Sequence, residues 1–240
     1  MPRYTAPYTK LVLRLSEINT ICNLATRLEK ETPIGKWQDE VEAMCRGGVV
    51  LLSSHLEGYI TDLNSVILTA ISNPHIPLNS FPDELIFHQV RDIFEQLKNT
   101  NDKTKIGQKF RSLHHREKYF FDAIEGIDPS PRLFNNEIAM QSFSTPKPSK
   151  IYKFFKRYGY DCLRGDIAKT LKTSMLTHEN LVLRTVQIRN DIAHGDDETK
   201  ETPADLRLRL NSVRLYCRVL DDSVANFFKN KSIIIRTIDL

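Results

Sequence analysis

Between residues 37 and 72 apolar side chains return every three or four positions without a break. Val41, Cys45, Gly48, Leu52, Leu56, Tyr59, Leu63, Val66 and Ala70 mark the run. Those steps match the 3.6-residue turn of an α-helix and put all nine positions on one face. The reading is one long amphipathic helix, ended by Asn73-Pro74. A stripe of that length needs several partners to bury it, which points to a helical bundle.

Other segments repeat the pattern. Leu11, Leu15, Ile18 and Cys22 predict a helix over 8–30, and Pro33 with Gly35 punctuates the chain after it. Leu85, Ile86, Val90, Ile93, Phe94 and Leu97 predict a helix over 83–98, polar residues at 99–107 a turn, and 108–125 a further helix. The stretch 128–150 is rich in Pro, Ser and Asn and reads as irregular, with short helices expected over 151–175. Leu181, Thr185, Ile188 and Ile192 predict a helix over 178–193, with Gly195 as its C-terminal cap. Thr202-Pro203 opens a last long helix over 203–229. The tail from Ser232 to Ile238 is left open between a short strand and simple packing. No long alternating run exists, so the fold class is all-α: an antiparallel bundle, mainly 37–72 and 178–229, with additional helices. An irregular insertion or arm is expected around 99–175, and residues 1–240 are read as one domain.

Composition excludes several classes. At 40% hydrophobic and 27% charged residues the chain is ordinary globular material. Cys22, Cys45, Cys162 and Cys217 are scattered and form no C-x-x-C pair, so neither a zinc site nor a disulfide framework is expected. No run resembles a signal peptide or reaches membrane-spanning length, and the chain reads as cytoplasmic. A net charge of +4 permits a nucleic-acid partner without requiring one. No H-E-x-x-H, Walker loop or G-x-S-x-G occurs, and the adjacent His114 and His115 point in different directions on a helix.

One segment combines the residue types of phosphodiester chemistry. Arg189-Asn190-Asp191-Ile192-Ala193-His194-Gly195 puts an arginine, two small polar residues and a histidine at a predicted helix end. It resembles the R-x4-6-H motif of the HEPN superfamily, in its four-residue-gap form. The early helix around Leu51-Leu52-Ser53-Ser54-His55-Leu56-Glu57-Gly58-Tyr59-Ile60 is similar to that of the MAE and RiboL-PSP groups of HEPN-like nucleases. The resemblance implies an endoribonuclease of bacterial defence or toxin type, with Arg189 and His194 catalytic and no cofactor or metal. One departure concerns regulation: some HEPN toxins carry a tyrosine two residues after the histidine that a partner modifies, and here Asp196 stands there.

The chemistry fits those residue types. RNA supplies its own nucleophile, the 2′-hydroxyl. Histidine titrates near neutrality and moves protons. Arginine remains charged and holds two phosphate oxygens at once. Asn190, Asp191 and Glu57 are candidates for support: Asp191 to orient the imidazole, Glu57 to fix the guanidinium. A plainer reading stands beside this one. His194 can simply interact with the last carbonyls of its helix, Arg189 can form a surface ion pair, and Glu57 can be a solvated charge.

Geometry adds a condition. Five residues of α-helix amount to about 500° of rotation, leaving Arg189 and His194 about 140° apart. Either the helix unwinds near Ala193, or two chains pool their motifs. The resemblance favours the second, a two-fold homodimer with both pairs in one cleft. The competing function is a non-catalytic helical interaction or regulatory subunit of a defence or toxin–antitoxin system, and a neutralising protein partner suits either case.

Two basic stretches are candidate RNA contacts. Residues 98–118 hold seven basic residues, among them Lys103, Lys105, Lys109 and Arg111, against Asp102 and Glu117. Residues 147–157 hold Lys147, Lys150, Lys153, Lys156 and Arg157 with no acid, and Tyr152, Phe154, Phe155 and Tyr158 lie among or beside them. Phosphate neutralisation with base stacking would suit single-stranded RNA. A solvated helix face with its aromatics turned inward is the alternative.

Overall fold

The computed structural model describes residues 3–31, 33–71, 82, 85, 103–116, 145–196 and 200–236. The helix expected over 83–98 and most of the irregular stretch 128–150 lie outside them. Seven α-helices are described: α1 (Ala6–Glu29), α2 (Gln38–Ile71), α3 (Lys103–Arg116), α4 (Pro148–Lys156), α5 (Leu163–Leu171), α6 (Met175–Ala193) and α7 (Pro203–Asn230). A 3₁₀ turn at Lys172–Ser174 joins α5 to α6. Among the described residues there is no strand. The tail packs, with Ile233 and Ile235 buried.

The helix ends follow from local chemistry. Thr5 caps α1 by accepting from the Tyr8 amide, and Pro7 occupies the first turn. At α7, Thr202 and Asp205 form a reciprocal capping box with Pro203 between them. α3 begins at Lys103, inside the stretch read as a turn. Lys and Gln are good helix formers, and a polar composition alone does not stop a helix.

Side-chain pairs give the direction of each helix. Lys10 and Arg14 of α1 reach Asp62 of α2 at 3.1 and 3.6 Å, whereas Glu17 meets His55 at 3.5 Å. Numbers rise in one helix as they fall in the other, so α1 and α2 are antiparallel. Gly48 faces Leu206, and the Tyr59 hydroxyl donates to the Cys217 carbonyl, so α2 and α7 run the same way. Arg46 of α2 meets Asp196, just beyond the C-terminus of α6, which therefore runs against α2. α1 packs on α2 and α7, α6 packs on the same two, and α2 touches α7 directly. The result is an up-and-down bundle with α1 and α6 at opposite corners.

The α2–α7 diagonal is the close one. A Cβ on Gly48 would lie 2.5 Å from Leu206 Cδ2, so the buried Leu206 side chain would have to shift to admit one. α5 closes one side against α7, and α4 and α5 pack against α6. The part of 99–175 that begins at residue 145 is thus built onto the bundle.

One buried carboxylate ties three helices together. Asp221 on α7 is fully buried and accepts from the Thr5 amide at 3.0 Å, from the Thr5 hydroxyl, and from the Tyr59 hydroxyl at 3.2 Å. Burial raises its pKa from the ordinary 3.8 and outweighs the hydrogen bonds, which lower it. The folded chain therefore holds this proton more tightly than the unfolded chain. Its contribution to stability is complete below pH 3.8 and is lost as pH rises through the raised folded value. Asp221→Asn cannot ionise. Its unfolding free energy relative to wild type should climb as pH rises above 3.8 and then level off, on top of a constant cost for one lost acceptor. Denaturant titrations across pH measure this, and a pH-independent difference would refute the shift.

Candidate active site

α6 carries the motif, and its buried sector decides where the motif points. Met175, Glu179, Val182, Thr185, Val186 and Ile188 are buried. Of the expected stripe, Thr185 and Ile188 are buried, while Leu181 and Ile192 are only half-buried. The sector is shifted and broadened because α6 meets α2, α7, α4 and α5 at once. Arg189 falls seven residues after Val182, within about 20° of it. It therefore continues the buried sector, half-buried in the last full turn of the helix. Its guanidinium donates to Asn190 Oδ1 at 3.0 Å.

The helix does not unwind before the histidine. It is regular through Ala193, and His194 is the C-cap residue at φ −91°, ψ 7°. Gly195 follows at φ +82°, the left-handed geometry expected of a glycine cap. Its amide donates to the Ile192 carbonyl at 3.1 Å, and the Asp196 amide donates to the Asp191 carbonyl at 3.0 Å. Together these bonds make a Schellman motif, which satisfies carbonyls the helix end would leave open. The His194 side chain is exposed. Within one chain the imidazole and the guanidinium therefore point in directions about 140° apart.

The supporting candidates divide. Asn190 does contact Arg189. Asp191 contributes its carbonyl to the turn, but among the described residues its side chain makes no hydrogen bond with His194. Glu57 sits eleven residues after Arg46, nearly in register with it on α2, so both belong to the stripe facing α6. Glu57 is half-buried, and among the described residues no ion pair joins it to Arg189. His55, two residues before it, turns instead to Glu17 of α1, and burial lowers its pKa.

Sequence reasoning missed Arg46. Its Nη2 donates at 2.9 Å to the Asp196 carbonyl, one residue beyond the capping glycine. No sequence signal marks such a bond, since the acceptor is backbone and lies 150 positions away. A second clamp closes the same connection. Glu201 and Arg209, both buried, form a bidentate pair at 2.9 and 3.0 Å.

The basic stretches lie elsewhere. On α4, Lys150, Lys153 and Lys156 are exposed, and the Lys156 ammonium is 3.4 Å from Asp161. The aromatics among them are not available for stacking on bases. Phe154, Phe155 and Tyr158 are buried, and the Tyr152 hydroxyl donates to Glu179 at 2.6 Å. The apolar area of Phe154, Phe155 and Tyr158 goes into the core. Arg157 lies over the Phe154 ring, 5.6 Å from its centroid. Tyr158 bonds Asn64 on α2, eighteen residues from Arg46, so α4 sits roughly 27 Å along the bundle from the motif turn. Lys103, Lys105 and Arg111 are exposed on α3, and the Lys109 side chain is outside the described residues. Among the described residues no three His, Cys, Asp or Glu side chains converge as a metal-ligand group, and no helix is long and apolar enough to cross a membrane.

An up-and-down helical bundle with an Arg/His pair closing one helix is the class of protein that this fold and motif define. The family model described as RiboL-PSP-HEPN matches residues 9–226, and the chain belongs to that family of ribonucleases within the HEPN superfamily. No curated protein and no solved structure matched the chain.

The cap makes a stability prediction. Among the described residues a Cβ on Gly195 meets nothing within 4 Å, so the strain expected in Gly195→Ala comes from its backbone. It should destabilise the fold by about 1–2 kcal/mol, whereas His194→Ala, at an exposed side chain, should stay within about 0.5 kcal/mol of wild type. Chemical denaturation of both variants measures this. Equal effects would mean that the turn is not closed by its left-handed glycine.

Proposed function

We propose that this chain is a metal-independent endoribonuclease in which Arg189 and His194 act on one phosphodiester across a homodimer cleft. The observation that supports it is the regular helix between them. It keeps the two groups on different sides of one chain, so a guanidinium and an imidazole meet around a single phosphate only when a second copy contributes. The family supports RNA as the substrate. The expected setting is bacterial defence or a toxin system.

In this reading the imidazole of one copy takes the proton from the 2′-hydroxyl as its oxygen attacks phosphorus in line. Arg189 holds the non-bridging oxygens as charge builds on them, and Asn190 keeps that guanidinium aimed. The proton that this imidazole takes up passes on, through water, to the departing 5′-oxygen, so one histidine and one arginine suffice. The products are a 2′,3′-cyclic phosphate and a 5′-hydroxyl. Cleavage in EDTA is expected from wild type, with Arg189→Ala and His194→Ala each losing about 100-fold or more. The decisive arm mixes the two inactive variants under conditions of subunit exchange. A composite cleft regains activity, because the histidine of one chain meets the arginine of the other. No recovery from a mixed dimer refutes the shared cleft, and equal background from all samples favours a non-catalytic interaction module.

The exposed cations complete the proposal. Lys103, Lys105, Lys109 and Arg111, together with Lys153, Lys156 and Arg157, contribute phosphate contacts away from the cleaved bond, Arg157 less than the rest because its guanidinium packs on Phe154. Each phosphate contact adds roughly 0.7 to the slope of log affinity against log salt for a single strand. Lys153→Glu with Lys156→Glu should flatten that slope by more than one and leave cleavage of saturating short RNA unchanged. An unaltered slope removes α4 from the RNA path.

A further inference from the structure

We infer that Arg46 is a positioning residue for His194, locking the turn that carries the imidazole to α2. This rests on the proposed roles of Arg189 and His194 and adds what fixes one relative to the other.

The argument starts from the turn. The Schellman bonds satisfy the Gly195 and Asp196 amides but tie the turn only to its own helix. Any flexing of α6 against its neighbours would carry His194 with it. Among the described residues, the Arg46–Asp196 hydrogen bond, 2.9 Å long, links this turn to another helix. Arg46 lies on the α2 stripe that faces α6, one residue after the buried Cys45 and two before the Gly48 contact with α7. It is therefore mounted on a tightly packed stretch of the bundle. The placement is also electrostatically sound, with a cation at the C-terminal, negative end of α6. A charge-assisted bond to a carbonyl is directional, so it fixes the turn in position as well as holding it close. Reaction rates fall steeply when a proton-transfer group is displaced by about 1 Å. Loss of Arg46 should accordingly affect the chemical step while RNA affinity is kept.

The test compares full-length wild type with Arg46→Ala and Arg46→Lys by three readouts. Amide hydrogen exchange at Gly195 and Asp196 should speed up in Arg46→Ala and return toward wild type in Arg46→Lys, since one donor suffices for one carbonyl. The single-turnover cleavage rate should drop about 10- to 100-fold in the alanine variant and recover in part in the lysine variant. RNA affinity, measured on the Arg46 variants in a His194→Ala background that prevents cleavage, should stay within about threefold of that background alone. Unchanged exchange overturns the clamp. Faster exchange with a wild-type cleavage rate overturns its link to catalysis, and lost affinity with a normal rate makes Arg46 an RNA contact instead. Wild type that fails to cleave any better than His194→Ala refutes the nuclease reading itself, and with it the catalytic half of this inference.

Discussion

A helix that stays regular between two side chains fixes the directions in which they leave the backbone. The five-residue step from Arg189 to His194 is spanned by α6 up to Ala193 and closed by the Gly195 turn. The other features of the motif follow from that. Burial of Val182, Thr185, Val186 and Ile188 sets the rotation of α6, which sends the guanidinium along the packed sector and the imidazole outward. Rotating α6 to bring His194 inward would expose the valines and bury a polar ring, against the hydrophobic term that holds the bundle.

What the sequence revealed depended on whether the expected stripe is the face that the neighbours bury. α2 was legible to within a residue or so, from 37–72 to Gln38–Ile71, because every expected position from Val41 to Ala70 is buried, although α1, α6 and α7 bury Val49, Ile60 and Ile67 beside them. α6 was legible as a helix but not in its exact face, since four neighbours bury more than one stripe, and Val182 and Val186 are drawn in beside Thr185. Its start at Met175 follows a 3₁₀ turn in which Ser174, at the N-cap position, turns its hydroxyl back to the Leu171 carbonyl and caps no amide of the helix. Gly195 was legible for a local reason, the left-handed backbone that only glycine adopts cheaply. Asp221 with Thr5, Glu201 with Arg209, and Arg46 with the Asp196 carbonyl were not legible. The first and last join positions 216 and 150 apart, and no local periodicity encodes which partner a polar side chain will find.

Charge and apolar area are sorted by the same logic at the far end of the bundle. On α4 the lysines alternate with aromatics at helical spacing, so one face takes the cations and the other the rings. Burying Phe155 and Tyr158 secures α4 to the bundle, where Tyr158 meets Phe228 edge-on at 5.7 Å. That leaves electrostatics as the means by which the outer face would attract a nucleic acid. Such attraction carries no sequence information. An RNA touching both α4 and the motif turn would have to cover roughly 27 Å of helix, so the basic face would bear on affinity and substrate length rather than on the reacting phosphate.

Exposure of His194 is not the same as looseness of its backbone. The connection that it begins is held near both ends: the Schellman bonds and Arg46 at the start, and the buried Glu201–Arg209 pair just before α7. A buried pair of this kind costs several kcal/mol in desolvation and adds little net stability over an apolar substitute. Its consequence here is geometric, because removing either partner would strand a charge in the core and release the segment. In the proposed nuclease a proton-transfer group that must reach a substrate needs an accessible ring on a well-held main chain. An exposed side chain on a doubly anchored turn meets both demands, whereas a fully buried histidine would meet only the second.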